Sequence, residues 1–366
     1  MELINVKTKW QRPLNIFLIV LGLFIFFFSI ELFSGSMKLF GKSLAETLFN
    51  FIHNPLIGVF IGILATTLIQ SSSATTSLTV GLVATGALQI DMAIPIIMGA
   101  NIGTTVTNSI VSYFHIGRKQ EFSRAFPSAV VHDMFNVLSV LVLFPIEILF
   151  HPIKHASGFL TSILGGTGGI KFVSPIKLVI KPIVHTTIHI TGGKPWITII
   201  IAIILLYTGL KIMVDNLKKT VGQKMEIWLD KYLFGAAWKA FLIGIALTAL
   251  IQSSSITTSL IVPIVAAGFL TVEKIYPYTL GANIGTTLTA ILAALVTGSF
   301  PALQTAFAHL FFNIFGIIIW FPLKIVPISL AKKLGKWASK HRIISIVYVV
   351  GLFIIIPLLF ILLLRR

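Results

Sequence analysis

The chain has no cysteine and little charge of either sign. The first absence excludes disulfides and thiolate metal sites. The second excludes an ordinary soluble domain, since only 11% of the 366 residues are charged where about a quarter is usual. Hydrophobic residues make up 56% of the chain and the mean hydropathy is +0.98, so the composition predicts an all-α polytopic membrane protein. Acidic residues are the scarcer charge, 11 against 28 lysines and arginines, for a net charge of +17. The basic residues sit in short loops between apolar runs rather than on a basic helix interleaved with aromatics. They therefore read as topology signals and lipid headgroup contacts, not as a nucleic-acid surface. The first apolar run, 14–33, lacks a small-residue cleavage site and is expected to be a retained span rather than a signal peptide.

Within this apolar background the chain repeats itself. Gln-Ser-Ser-Ser-x-Thr-Thr-Ser occurs at Gln70 and again at Gln252, and Gly-Ala-Asn-Ile-Gly-Thr-Thr occurs at Gly99 and Gly281, both pairs 182 positions apart. His132, Phe135, Asn136 and Pro145 match His309, Phe312, Asn313 and Pro322 at an offset of 177. Three ordered blocks at nearly constant spacing predict two homologous halves, 1–150 and 196–342. A linker, 151–195, joins them, and an extra C-terminal helix, 343–366, follows.

In each half an apolar run is interrupted by the serines, at 55–88 and 236–270. The first spans 34 residues, too long for one crossing of about 20 residues and short for two plus a turn. The expectation is a re-entrant helical hairpin with its polar tip buried in protein or facing a water-filled cavity. Counting each hairpin as no crossing leaves three crossings per half, and an odd number makes the second half run opposite to the first. Inverted-topology repeats are a mark of secondary transporters. Placing Lys7, Lys9 and Arg12 inside also places Arg118, Lys119, Arg124, then Lys218, Lys219, Lys224, Lys231, then Lys332, Lys333, Lys336, Lys340 and Arg342 inside. The linker is then extracytoplasmic.

The repeated motifs carry two kinds of chemistry. Serine favours helix starts, where first-turn amides lack internal partners. The triplets 71–73 and 253–255 therefore set hydroxyls beside free amides at the positive end of a short helix, an anion site with no Lys or Arg in it. The Gly-Ala-Asn-Ile-Gly-Thr-Thr segments are expected to unwind spanning helices at 92–114 and 276–299, because paired glycines weaken the helix. Exposed carbonyls with Thr104, Thr105, Thr286 and Thr287 would then offer neutral oxygens to a hard cation such as sodium. Plainer readings stand beside these. Serines in membrane helices bond preceding carbonyls or glue helices together, Gly99 to Gly103 is also a packing face, and His132 with Asn136 and His309 with Asn313 suit interhelical hydrogen bonds as well as substrate binding. Asp133 has no counterpart, Leu310 standing in its place. A carboxylate eight residues into a span either holds a cation or pairs with a basic residue.

These blocks, with the stretches "IPIIMGANIGTTVTN" from Ile94 and "VVHDMFNVLSVLVLFPIE" from Val130, resemble the type II sodium-dependent phosphate cotransporters over about 300 residues. The resemblance implies a prokaryotic-type member that imports phosphate by alternating access, with sodium as the coupling ion and no cofactor, in the plasma (inner) membrane. It implies phosphate held by Ser71, Ser72, Ser253 and Ser254. It implies sodium held by Gln70, Ser73, Thr104, Asn136, Gln252, Ser255, Asn283, Thr286 and Thr289, and an extra sodium at Asp133. His115 and Arg118 depart from the Gln and Asp of animal relatives, which implies one altered sodium site. Three other functions compete, one of them an ion channel, which predicts conductance without saturation or coupling. A symporter of sulfate or a dicarboxylate fits the same serines. An intramembrane serine hydrolase using His132 and Asp133 is disfavoured, since adjacent helical residues point about 100 degrees apart and His309 has no neighbouring acid.

Overall fold

The computed structural model describes residues 2–49, 54–164, 175–228, 233–297 and 299–364. Lys231, Arg365, Arg366 and residues 165–174 of the expected linker lie outside the described residues, as do the side chains of Lys7, Lys9, Arg12, Lys218 and Lys224. The described chain is all-helical, without strands.

Chain order gives α1 (Glu2–Phe49), α2 (Pro55–Ile69), α3 (Ser72–Ala84), α4 (Ile90–Gly103), α5 (Val106–Tyr113), α6 (Lys119–Phe150), α7 (Pro152–Leu164) and α8 (Pro175–Ile190). Next come α9 (Pro195–Trp228), α10 (Ala237–Ile251), α11 (Ser254–Ala266), α12 (Val272–Thr297), α13 (Phe300–Trp320) and α14 (Ile325–Lys340). A π-helical turn, Gly351–Ile355, joins α15 (Arg342–Val350) to α16 (Ile356–Leu364). Among the described residues, six helical stretches are long and apolar enough to cross a membrane: Pro13–Met37, Ile90–Tyr113, Lys119–Phe150, Pro195–Met213, Phe300–Trp320 and Arg342–Leu364. With 26 residues, α12 has the length for a seventh. The protein is a multi-pass membrane protein. The α4–α5 stretch is its centre, 83% buried where the C-terminal stretch is 22% buried.

The serine motifs sit between short helices. The 15 residues of α2 and of α10 reach about 22 Å at 1.5 Å per residue, less than a hydrocarbon core of about 30 Å. Two-residue joints, Gln70-Ser71 and Gln252-Ser253, link them to α3 and α11.

The structure corrects the expected unwinding. The second Gly-Ala-Asn-Ile-Gly-Thr-Thr lies inside the unbroken α12, and the first is broken only at Thr104 and Thr105, whose backbones stay in the right-handed helical region. The glycines serve close approach instead. A Cβ on Gly99 would overlie the Val59 carbonyl oxygen and stand 2.9 Å from Ile63 N, and one on Gly103 would stand 2.5 Å from Ile63 O. Gly281 and Gly285 meet Phe241 and Ile245 of α10 in the same way. Lost helix propensity, about 1 kcal/mol per glycine, is offset by backbone-to-backbone packing of α2 on α4 and of α10 on α12.

The described parts of the linker are largely helical, as α7 and α8. Ile153, Ser157 and Thr161 of α7, spaced by four, are buried on one face, and α7 packs on α13. Glu147, near the end of α6, is 3% exposed. It accepts the amides of Ile153 (2.7 Å) and Lys154 (3.1 Å), capping the start of α7.

Candidate functional site

Both tips are built alike. Gln70 (φ 57°) and Gln252 (φ 55°) adopt the left-handed conformation that ends α2 and α10. A side-chain-bearing residue in that region stores on the order of 1 kcal/mol of strain, and both copies retain it. Ser71 and Ser253 then cap the next helices, their Oγ atoms accepting the amides of Ala74 (3.2 Å) and Ile256 (3.3 Å). A hydroxyl that accepts keeps its own hydrogen to donate. The amides of Ser72 and Ser73, and of Ser254 and Ser255, lie in the first turn, where no carbonyl one turn back is available.

The two tips, 182 residues apart in sequence, converge on Thr104. Its hydroxyl donates to Ser72 Oγ (3.0 Å) and lies 3.3 Å from Ser255 Oγ, which itself reaches Thr104 O at 3.4 Å. Ser73 Oγ lies 3.4 Å from Thr289 Oγ1, which donates to Thr286 O (2.6 Å). Thr286 bonds back to Ala282 O (3.1 Å). Gln70 accepts from Thr107 (2.8 Å) and donates to Thr67 O (2.6 Å), which holds its strained turn in place. Gln252 donates its backbone N–H to Thr248 O (2.7 Å). Of the expected residues, Ser72, Thr104 and Ser255 thus form one hydroxyl cluster, and Ser73 with Thr289 a separate pair next to it in the chain. Ser71, Ser253, Ser254 and Gln70 border it along the chain.

Asn136 and Asn283 lie deeper, in a lattice joining α4, α6, α12 and α13. Asn136 Nδ2 donates to the backbone carbonyl of Asn101 (2.7 Å), which leaves its Oδ1 to accept Asn283 Nδ2 (2.9 Å). Asn283 Oδ1 therefore faces His132 Nε2 (2.6 Å), so the imidazole carries its hydrogen there. The second half mirrors this. Asn101 Nδ2 donates to Ile97 O (2.9 Å), and its Oδ1 accepts His309 Nε2 (3.2 Å) and Asn313 Nδ2 (3.4 Å). Each histidine bonds the asparagine of the other motif copy. All of these side chains are buried; Asn136 Oδ1 and Asn283 Oδ1 each keep a second lone pair for a further partner, whereas both lone pairs of Asn101 Oδ1 are taken.

Asp133 is fully buried. Its Oδ2 accepts the Tyr348 hydroxyl at 3.1 Å, while Oδ1 has no hydrogen-bond partner. The basic partner weighed for it is not found among the described residues. His132 and Asp133 also do not orient one another, so the triad needed for a serine hydrolase is not assembled. His115 and Arg118 both engage Glu121, at 2.9 and 3.2 Å.

Two contributors have no duplicate in the sequence. Asn108 Oδ1 accepts both Thr258 and Ser259 of α11, each at 2.9 Å. Its position in the second half is Ala290, so repeat matching passes over it. Tyr348 lies outside both halves.

A sequence model of the family described as Na+/Pi-cotransporter matches residues 11–165 and 204–353. The chain is 32% identical to sodium-dependent phosphate transport protein 2A of Mus musculus, over 97% of this chain and 68% of that protein. It is also 32% identical to sodium-dependent phosphate transport protein 2B of Pongo abelii and of Homo sapiens, over 93% of this chain and 64% of each of those proteins. The chain thus spans about two thirds of the length of these relatives. A family match across most of the chain, together with relatives 32% identical over more than nine tenths of it, shows that the chain belongs to the Na+/Pi-cotransporter family.

Proposed function

We propose that the protein imports inorganic phosphate by alternating access, driven by sodium, across a plasma membrane. One observation carries the reading: a single threonine, Thr104, lies within hydrogen-bond reach of both serine tips. Phosphate is a compact anion rich in acceptors, and the meeting point of two helix starts offers it amides and hydroxyls without a fixed cation. Ser71, Ser72, Ser253 and Ser254 hold phosphate. Gln70, Ser73, Thr104, Asn136, Gln252, Ser255, Asn283, Thr286 and Thr289 supply neutral oxygens for sodium, and Asp133 holds an additional sodium. Shared oxygens give the coupling a physical form, since a cation seated between the tips draws both toward the anion.

The proposed architecture is two inverted halves, 1–150 and 196–342, whose short helix pairs are re-entrant hairpins meeting tip to tip. Their length below one bilayer, the polar turns and the matched backbone angles support it. The linker 151–195 is extracytoplasmic, and 343–366 is an added C-terminal helix.

The test is uptake of labelled phosphate into proteoliposomes with an imposed inward sodium gradient. Uptake should require sodium rather than potassium, be inhibited by arsenate but not sulfate, and fall at least tenfold in Ser72→Ala and Ser254→Ala. Sulfate or a dicarboxylate competing better than arsenate contradicts the substrate assignment.

A further inference from the structure

The C-terminal helix belongs to neither half, yet it reaches the most deeply buried carboxylate among the described residues. Tyr348 of α15 donates to Asp133 Oδ2 at 3.1 Å. The Thr105 hydroxyl, which lies beside this carboxylate, gives its hydrogen to Ile102 O (2.8 Å), leaving Tyr348 as the side-chain donor beside a backbone N–H. Two further contacts fix where that phenol stands. Tyr113, at the end of α5, donates to Ser345 O (2.8 Å), one turn before Tyr348 on the same helix. Phe126 of α6 meets the Tyr348 ring edge to face, with centroids 6.3 Å apart, and also stacks on Tyr113 at 6.3 Å. A phenol has a short, two-torsion side chain, so these packing contacts set its oxygen within narrow limits.

We propose that Tyr348 is a positioning residue for the Asp133 carboxylate, through which the C-terminal helix completes the additional cation site. The inference rests on the reading of Asp133 as an ion ligand. The hydroxyl holds Oδ2 and thereby fixes the rotation of the carboxylate, so that Oδ1, buried and unpartnered, is presented to the ion. Without the phenol the carboxylate turns freely or takes a backbone donor, and the ion must reorder it on binding. The effect falls on sodium affinity and leaves the serine tips untouched.

The experiment uses the full chain, purified and reconstituted, with Tyr348→Phe made alone and in an Asp133→Ala background. Two readouts are taken: thermal stabilisation by sodium over potassium without phosphate, and sodium activation of phosphate uptake. The single variant should need about tenfold more sodium in both, the loss of one hydrogen bond to a charged group. Its maximal uptake at saturating sodium and its phosphate KM should stay within about twofold of wild type. In Asp133→Ala protein, adding Tyr348→Phe should change neither readout. An unchanged sodium requirement in Tyr348→Phe overturns the inference, as does a shift that persists without Asp133. If Tyr348→Phe does not fold, Tyr113→Phe carries the test, because it releases α15 while keeping the phenol. Weaker sodium activation supports the inference, and unchanged activation overturns it. Wild-type protein stabilised equally by sodium and potassium contradicts the ion-site reading beneath it, so the two failures are distinguishable.

Discussion

Replacing Gly99 by alanine should destabilise the protein, although alanine is the better helix former. The added Cβ would overlie the Val59 carbonyl oxygen, 2.8 Å from Val59 C and 2.9 Å from Ile63 N. Carbon atoms pack at about 3.5–4.0 Å, so α4 and α2 must part by roughly 1 Å. The atoms in the way are helix backbone and cannot rotate aside. Overpacking of this kind costs about 1–3 kcal/mol, here at the upper end, against a propensity gain of at most about 1 kcal/mol. A net loss of about 2 kcal/mol follows. Gly81→Ala is the matched control, because that glycine lies inside α3 with nothing within 4 Å of its Cβ position, so only the propensity gain remains. Thermal unfolding of both variants in detergent should show shifts of opposite sign. If the glycines existed to unwind the helix, Gly99→Ala would restore helix and stabilise it. A rise in melting temperature for Gly99→Ala comparable to that of Gly81→Ala therefore refutes the close-approach argument.

Thr104→Val keeps the shape but removes the hydroxyl between the tips. It should weaken sodium-dependent phosphate binding by about 1–3 kcal/mol, read as a rise in phosphate KM of about fivefold or more; an unchanged KM contradicts the convergence of the tips. Asn108→Ala leaves Thr258 and Ser259 without the acceptor they share, which should lower the melting temperature by a few degrees (about 1–3 kcal/mol); no change would mean that other acceptors replace it. Asp133→Ala should still transport phosphate but without net current. One charge per cycle is worth about 2.3 kcal/mol per 100 mV, roughly a 40-fold difference in attainable accumulation, and undiminished current in the variant removes Asp133 from the ion path.

The serine tips were legible because hydroxyls repeated within apolar runs have few reasons to be there, and the repeat exposed them twice. Their turns are half legible: serine starts the following helix by residue type, whereas a left-handed glutamine ending the preceding one is not what residue type favours. The glycine motif leaves two readings open in the sequence, unwinding and a packing face, because composition cannot distinguish a glycine that breaks its own helix from one that admits a neighbour. Only the approach of Val59 and Ile63 decides it. The helix α7 was hidden for a related reason: its buried stripe, Ile153, Ser157 and Thr161, is mostly small and polar. Asn108 and Tyr348 escaped because duplication was the filter, and neither has a duplicate. His132 and His309 were recognised as a pair, but their exchange across motif copies is a tertiary fact that no spacing within one helix encodes.

The cysteine-free chain offers a clean background for the most direct test of the central claim, that both serine tips line one chamber opened to each side in turn. Ser71→Cys and Ser253→Cys, made singly, should each react with membrane-impermeant thiol reagents supplied from either side of proteoliposomes, and sodium with phosphate together should protect both. Reaction of both positions from one side only, without protection by phosphate, contradicts the account.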